Sequence, residues 1–195
     1  HTNLTLSTWF RTSTYTAVEQ TLVGYSFSHG PQISLATSGI GQFLGLMLPE
    51  GPFCTQGINN KKNLIDGQWH HIAMSRSPHF FAFYIDGRAH LICHVDLNLG
   101  INSDQIILGV FDPVLESTNS QPFTGDLDDV RVYKRLFLSE DDVFDTIVSR
   151  PPTASELSDE MLLALDFDTK PFINRASVDV SINLGGGLVA RSPYL

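Results

Sequence analysis

The sequence predicts an all-β sandwich of two antiparallel sheets, and three observations predict it. Short strand-like runs alternate with turns carrying Gly, Pro, Asn and Asp, at the spacing of sandwiches and barrels rather than of βαβ units. The composition, with 13 Phe and 15 Gly, favours strands and turns over long helices. The third is the segment Asp66–Gly87, around which the chain is organised. It parses as the turn Asp66-Gly67, a strand Trp69–Ser75, a loop Arg76–His79, a strand Phe80–Ile85 and a second turn Asp86-Gly87. Alternation puts Trp69, His71 and Ala73 on one face and His70, Ile72 and Met74 on the other. The second strand sets Phe81, Phe83 and Ile85 opposite Phe80, Ala82 and Tyr84. Both faces are largely apolar, so the hairpin is expected inside a sheet covered on both sides.

The other elements follow in order. Leu4–Thr12 alternates and is anchored by Trp9-Phe10; Thr12–Thr16 is a polar turn. Thr21–Phe27, Gln32–Thr37, Gln42–Leu48 and Phe53–Ile58 read as strands, separated by Ser28–Pro31, Ser38-Gly39 and Pro49–Pro52. After the hairpin come the strands Ala89–Leu97 and Gln105–Phe111 and the long polar loop Asp112–Phe123. Gly125–Tyr133 alternates with one offset, the mark of a bulge. Ser139 opens a helix reaching to about residue 148, with Asp142 at capping-box spacing and Val143, Phe144, Ile147 and Val148 at helical intervals; Pro151-Pro152 stops it. Thr153–Glu160 reads as a linker, Met161–Phe167 as a buried strand, and Val178–Leu184 and Leu188–Ala190 as weaker ones.

At 195 residues, with 42% hydrophobic and 17% charged positions, one folded domain is expected. The formal charge of −9 argues against nucleic acid and anionic membrane surfaces as partners, since both reward clustered Lys and Arg. No apolar run approaches a membrane span. The chain enters a strand-like pattern at Leu4, so it reads as part of a larger multidomain protein. Asn3-Leu4-Thr5 is a glycosylation acceptor triplet. The two cysteines, Cys54 and Cys93, allow either one bridge between strands or two buried thiols.

Three groups of residues, in their order, resemble the laminin G-like domains of the concanavalin A-like lectin and glucanase superfamily, to which pentraxins are related. They are Leu6-Ser-Thr-Trp-Phe; Asp66-Gly-Gln-Trp-His-His-Ile-Ala with Phe83-Tyr-Ile-Asp-Gly; and Phe123-Thr-Gly-Asp-Leu-Asp-Asp-Val-Arg-Val-Tyr followed by Leu138-Ser-Glu-Asp-Asp-Val. The resemblance spans about residues 4–148. It implies a two-sheet jelly roll that serves as a non-catalytic module binding proteins or glycans. The strand that usually opens such domains has no counterpart before Leu4, yet Met161-Leu-Leu-Ala-Leu-Asp-Phe-Asp resembles it. Residues 160–195 are therefore expected to supply the opening strands of one circularly permuted sandwich over residues 1–195; the alternative is a domain at 1–150 followed by the start of a second copy.

Little in the sequence points to catalysis. The glucanases of the superfamily carry a Glu-x-Asp-x-x-Glu motif, because two carboxylates must flank the scissile bond. No such triplet occurs, and the acidic clusters Asp126/Asp128/Asp129 and Glu140/Asp141/Asp142 read as turn and helix-start residues. Pentraxin-like relatives bind Ca²⁺ ahead of the Gly-Asp strand. Here Asp112 and Gln121 match that pattern, but Val110 and Phe111 replace its acid–amide pair and offer no side-chain oxygen. No cofactor is expected, with Ca²⁺ at Asp112 and Gln121 as the one exception to test. His70, His71, His79, His90 and His94 are scattered by strand parity and do not form a zinc set. The expected function is a recognition or adhesion module, extracellular or at the cell surface, gripping a protein or glycan through rim loops, chiefly Asp112–Phe123 and Ser28–Gly30. An intracellular, cytoplasmic lectin-like scaffold module of the kind found in vesicle-trafficking proteins is the alternative, and a glycosidase the weaker one.

Overall fold

The computed structural model describes residues 3–15, 19–25, 32–38, 41–48, 51–57, 63–94, 105–109, 120–167, 173–174 and 181–184. Within them the chain runs β1 (Leu4–Arg11), β2 (Glu19–Tyr25), β3 (Gln32–Ser38), β4 (Gly41–Leu48), β5 (Gly51–Gly57), β6 (His70–Arg76), β7 (Phe80–Ile85), β8 (Arg88–His94), β9 (Gln105–Leu108), β10 (Ser120–Pro122) and β11 (Asp126–Tyr133). Helix α1 (Glu140–Val143) continues into a π-helical turn, Phe144–Val148, and a second such turn spans Glu156–Glu160. β12 (Met161–Asp166), β13 (Ile173–Asn174) and β14 (Ser181–Leu184) follow. The strands form two sheets. The first has the order β13-β12-β11-β1-β6-β7-β8; the second is β14-β9-β2-β3-β4-β5, with β10 beside β2. Pairing is antiparallel in the hairpin and along the first sheet, and parallel where β10 meets β2 and β14 meets β9.

Alternation in the first sheet decides where the core lies. Leu6 and Phe10 of β1, Ile72 and Met74 of β6, Phe81 and Phe83 of β7 and Leu163 of β12 pack against Leu22 and Val23 of β2 and Leu108 of β9. The opposite face of the same sheet is also buried. Ala73, Ala82, Tyr84, Tyr133 and Ala164 lie under Phe137, Val143 and Ile147 of the helical segment. Three alanines on that face leave room for the segment to come close. Polar side chains then fix it: Tyr84 donates to the carbonyl of Phe137 at 3.0 Å, Thr5 to that of Arg135 at 2.9 Å, and Ser75 Oγ accepts from Phe137 N at 3.2 Å. The central hairpin is thus covered on both faces, as its two apolar sides predict.

Local chemistry accounts for the joints. Asp86 and Gly87 both have positive φ, 49° and 75°, as a two-residue hairpin turn of right-handed twist demands. Between β1 and β11 the register slips between Ser7 and Trp9, and Asp129 takes φ 48°; this is the bulge announced by the offset in the alternation. Ser139 Oγ accepts from Asp142 N at 3.1 Å and starts the helix where expected. The stretch Thr153–Glu160, read as a linker, instead carries an ordered turn. Thr153 Oγ1 accepts from Glu156 N at 3.3 Å while Glu156 accepts from Thr153 N at 2.7 Å, a reciprocal capping box. The strand expected at Leu188–Ala190 lies outside the described residues.

Candidate functional site

Since β1 runs antiparallel to both β6 and β11, its C-terminal end meets their N-terminal ends. Three short segments therefore converge at one end of the first sheet: Thr12–Tyr15 after β1, Asp66–Trp69 before β6 and Phe123–Gly125 before β11. Hydrogen bonds stitch them together. Gly67 N donates to the carbonyl of Thr12 at 3.0 Å, and Thr12 Oγ1 donates to that of Thr124 at 2.7 Å and accepts from Thr14 N at 3.1 Å. Gly125 has no room for a side chain, because a Cβ there would stand 2.3 Å from the carbonyl oxygen of Arg11. Between the segments lies a cavity of about 190 Å³ lined by Arg11, Thr12, Ser13, Thr14, Gly67, Thr124, Gly125 and Asp126.

The charged wall of this cavity is a matched pair. Arg11 donates through Nε, at 2.9 Å, and Nη2 to the same oxygen of Asp126, Oδ2. Its guanidinium lies 4.9 Å from the ring centre of Trp69, which holds the group flat. Both side chains remain partly open to solvent, at 28% and 21% exposure.

Two histidines sit behind this end of the sheet with opposite electrostatics. His70 stands between Asp66 Oδ1, at 3.2 Å, and Asp86 Oδ2, at 3.1 Å. Burial works against its cation, but Asp86 and then Asp66 outweigh it, and its pKa is raised above 6.5. His71 is fully buried, with its ring 5.3 Å from that of Trp9, and neither ring nitrogen has a hydrogen-bond partner among the described residues. Burial first, and the Arg131 cation second, lower its pKa from 6.5 to about 3, against a smaller opposing pull from Asp86. The consequences differ in sign. His70 contributes stability below its unfolded pKa of 6.5, which is lost as pH rises through its raised folded value. His71 contributes nothing above 6.5 and costs stability as pH falls from 6.5 toward about 3, because only the unfolded chain then takes up its proton. Between pH 7 and pH 5 the His71 effect is about 2 kcal/mol. Urea unfolding across that range should show it, and His71→Leu should flatten the slope; an unchanged slope would place the acid sensitivity elsewhere.

The residues singled out by sequence are distributed as follows. Asp112 and the loop Ser28–Gly30 lie outside the described residues. Gln121 is on β10 opposite Gln20 of β2, and its side chain is outside the described set. Gly109 N donates to Leu22 O at 3.0 Å, and Phe123 N to Gly109 O at 2.9 Å. Among the described residues no three His, Cys, Asp or Glu side chains are grouped to hold a metal ion. Val110, Phe111 and Asp112, on which the calcium expectation turns, lie outside the described residues. Cys93 of β8 is disulfide-bonded and packs toward the core between the sheets; the side chain of Cys54, on β5, is outside the described set. Asn3 is exposed. Of the acidic clusters, Asp126 enters the cavity wall, while Asp128 accepts from Asp129 N at 2.7 Å and Asp129 pairs with Arg131. Sequence reading passed over Arg11 and Ser13–Thr14, which belong to a stretch that looks like an ordinary polar turn. Only the β1–β11 register brings them to Asp126, and the bulge hides that register.

No curated protein matches the chain. Among solved structures, a candidate carbohydrate-binding protein from Bacteroides ovatus aligns at TM-score 0.62 and 14% identity over 87% of this chain and 46% of its own, so the chain spans less than half of that protein's length. The native heptameric SAP-like pentraxin of Limulus polyphemus aligns at TM-score 0.61 and 15% identity, over 89% of this chain and 79% of the pentraxin. Domain 4 of AbnA, an extracellular arabinanase of Geobacillus stearothermophilus solved with arabinotriose, aligns at TM-score 0.51 and 21% identity, over 74% and 66%. At these identities the likeness is one of fold. The laminin G family model, described as the concanavalin A-like lectin/glucanases superfamily, matches residues 1–144. With two sheets in the jelly-roll manner and a family match over most of its length, the chain belongs to the concanavalin A-like lectin/glucanases superfamily, in its laminin G branch.

Proposed function

We propose that this chain is a non-catalytic recognition module of a larger extracellular or cell-surface protein, and that it holds a glycan at the end of its first sheet. The observation that carries the reading is the Arg11–Asp126 cavity, a polar recess built by loops on a rigid sandwich, where binding residues are commonly found. The family and the fold support a binding module. Hydrolysis of a glycosidic bond needs two carboxyl groups facing each other at about 5–5.5 Å or about 6.5–9.5 Å. Among the described residues Asp126 is the one carboxylate lining this cavity, and Arg11 engages it. An extracellular setting is supported by the disulfide at Cys93, since such bonds persist in oxidising compartments. We assign its partner as Cys54, the other cysteine of the chain.

Binding to a glycan array, in calcium and in chelator, tests the function. The expected result is a defined set of bound glycans, unchanged by chelation because Val110 and Phe111 offer no side-chain oxygen to a calcium ion. An array without signal would remove the glycan reading, and signal abolished by chelator would restore a metal at Asp112 and Gln121. A thiol count in denaturant without reductant tests the compartment. No free thiol is expected; two free thiols would favour the intracellular scaffold.

A further inference from the structure

We propose that the Arg11–Asp126 cavity takes one uncharged sugar residue, gripped through a pair of adjacent hydroxyl groups, and that it rejects acidic sugars. This inference rests on the glycan reading and goes further, to the class of sugar and the atoms that hold it.

Size comes first. The cavity has a volume of about 190 Å³. That is below the ~300–1,000 Å³ of sites for drug-sized ligands, and it suits a single ring rather than a run of several.

Hydrogen-bonding chemistry comes second. Arg11 spends Nε and Nη2 on Asp126 Oδ2, which leaves Arg11 Nη1 and Asp126 Oδ1 without partners among the described residues. The pair therefore presents donors on one side and an acceptor on the other. A sugar hydroxyl both donates and accepts, so one hydroxyl can donate to Oδ1 while its neighbour accepts from Nη1. Each bond has one charged partner, the stronger kind. The hydroxyls of Ser13, Thr14 and Thr124 line the same recess.

Charge comes third. Asp126 neutralises Arg11 in place, so no net positive charge faces the cavity. A carboxylate or sulfate entering it would meet the free oxygen of Asp126 on a chain of formal charge −9. Finally, the wall is set in advance. Trp69 and Asp126 fix the guanidinium, and the contact of Gly125 with Arg11 fixes the strand beneath it, so little side-chain freedom is lost on binding.

The test is a titration of the ¹⁵N-labelled, disulfide-intact chain with methyl glycosides of neutral hexoses and pentoses and of glucuronic acid, followed by amide shifts, with Asp126→Asn and Ser13→Trp run beside the wild type. Ser13 is exposed, so Ser13→Trp fills the cavity without touching the core, and the melting temperature checks both variants. At least one neutral glycoside is expected to shift the amides of Ser13, Thr14, Gly67 and Gly125, and to lose affinity tenfold or more in both variants. Tighter binding of the glucuronide overturns the choice of an uncharged sugar. Array binding that survives Ser13→Trp intact overturns the site and leaves the glycan reading standing. A wild-type chain that binds no glycan on the array or in titration removes both.

Discussion

Replacing Arg131 by leucine is expected to lower the free energy of unfolding by about 3–5 kcal/mol, the range for removing one partner of a buried ion pair. Arg131 is 1% exposed, on the face of β11 that the helical segment covers. Nε and Nη2 bind the Asp129 carboxylate; Nη1 donates to Tyr133 Oη at 3.4 Å and to the carbonyl of Ile147 at 3.2 Å, and Nη2 to that of Arg150 at 3.1 Å. Burial works against the cation, but Asp129 outweighs it and the guanidinium's pKa is raised. One side chain thus neutralises the acid at the bulge and ties down the end of the π-helical turn. Leucine would strand all of these groups at once. The double variant Arg131→Leu/Asp129→Ala should recover part of the loss, because no uncompensated carboxylate remains. The Arg11–Asp126 pair is the control: it is partly exposed, so its removal should cost at most about 1 kcal/mol. Urea unfolding of the variants decides the matter. A loss at Arg131 no larger than at Arg11 would mean that apolar packing alone holds the helical segment.

Arg131 also marks the boundary of what the sequence made legible. The two apolar sides of Asp66–Gly87, the Asp86-Gly87 turn and the Ser139 cap could all be read, because each depends on residues a few positions apart. By parity alone Arg131 sits on the face opposite Val130 and Val132, which on an ordinary outer strand is the solvent face. That a helical layer covers it depends on contacts with Ile147 and Arg150, more than a dozen residues onward. The Thr153–Glu156 capping box is equally local, but the stretch it opens lacks the apolar periodicity that signals a helix, so its sequence reads as a linker. The cavity was the least legible feature. Its parts come from residues 11–14, 67 and 124–126, and nothing local to any of them announces the other two.

A chain ending at residue 150 is expected not to fold. β12 pairs with β11 in the first sheet, through Val130↔Leu165, Arg131↔Ala164 and Val132↔Leu163, and so shields an edge that would otherwise be open. Leu163, Leu165 and Phe167 are buried in the core between the sheets, and Met161 is buried beneath the helical segment. At about 1.5–3 kcal/mol for each large apolar side chain, losing these residues removes about 6–12 kcal/mol, comparable with the ~5–15 kcal/mol that separates a folded domain from its unfolded chain. Glu156, held down to about pKa 2 by Arg150 against the effect of burial, is lost with them, and so are its ion pair with Arg150 and the bonds of the capping box. Circular dichroism and thermal unfolding of residues 1–150 beside the full chain give the readout. No cooperative transition is expected, because residues 161–195 then act as the displaced opening of this same sandwich. A cooperative transition near that of the full chain would instead make them the start of a second copy. The cavity permits a second reading of the same sample, since among the described residues its walls come from 11–14, 67 and 124–126. If the truncated chain folds and still binds sugar, the site belongs to the shorter unit; if it neither folds nor binds, the site depends on the sheet that β12 completes.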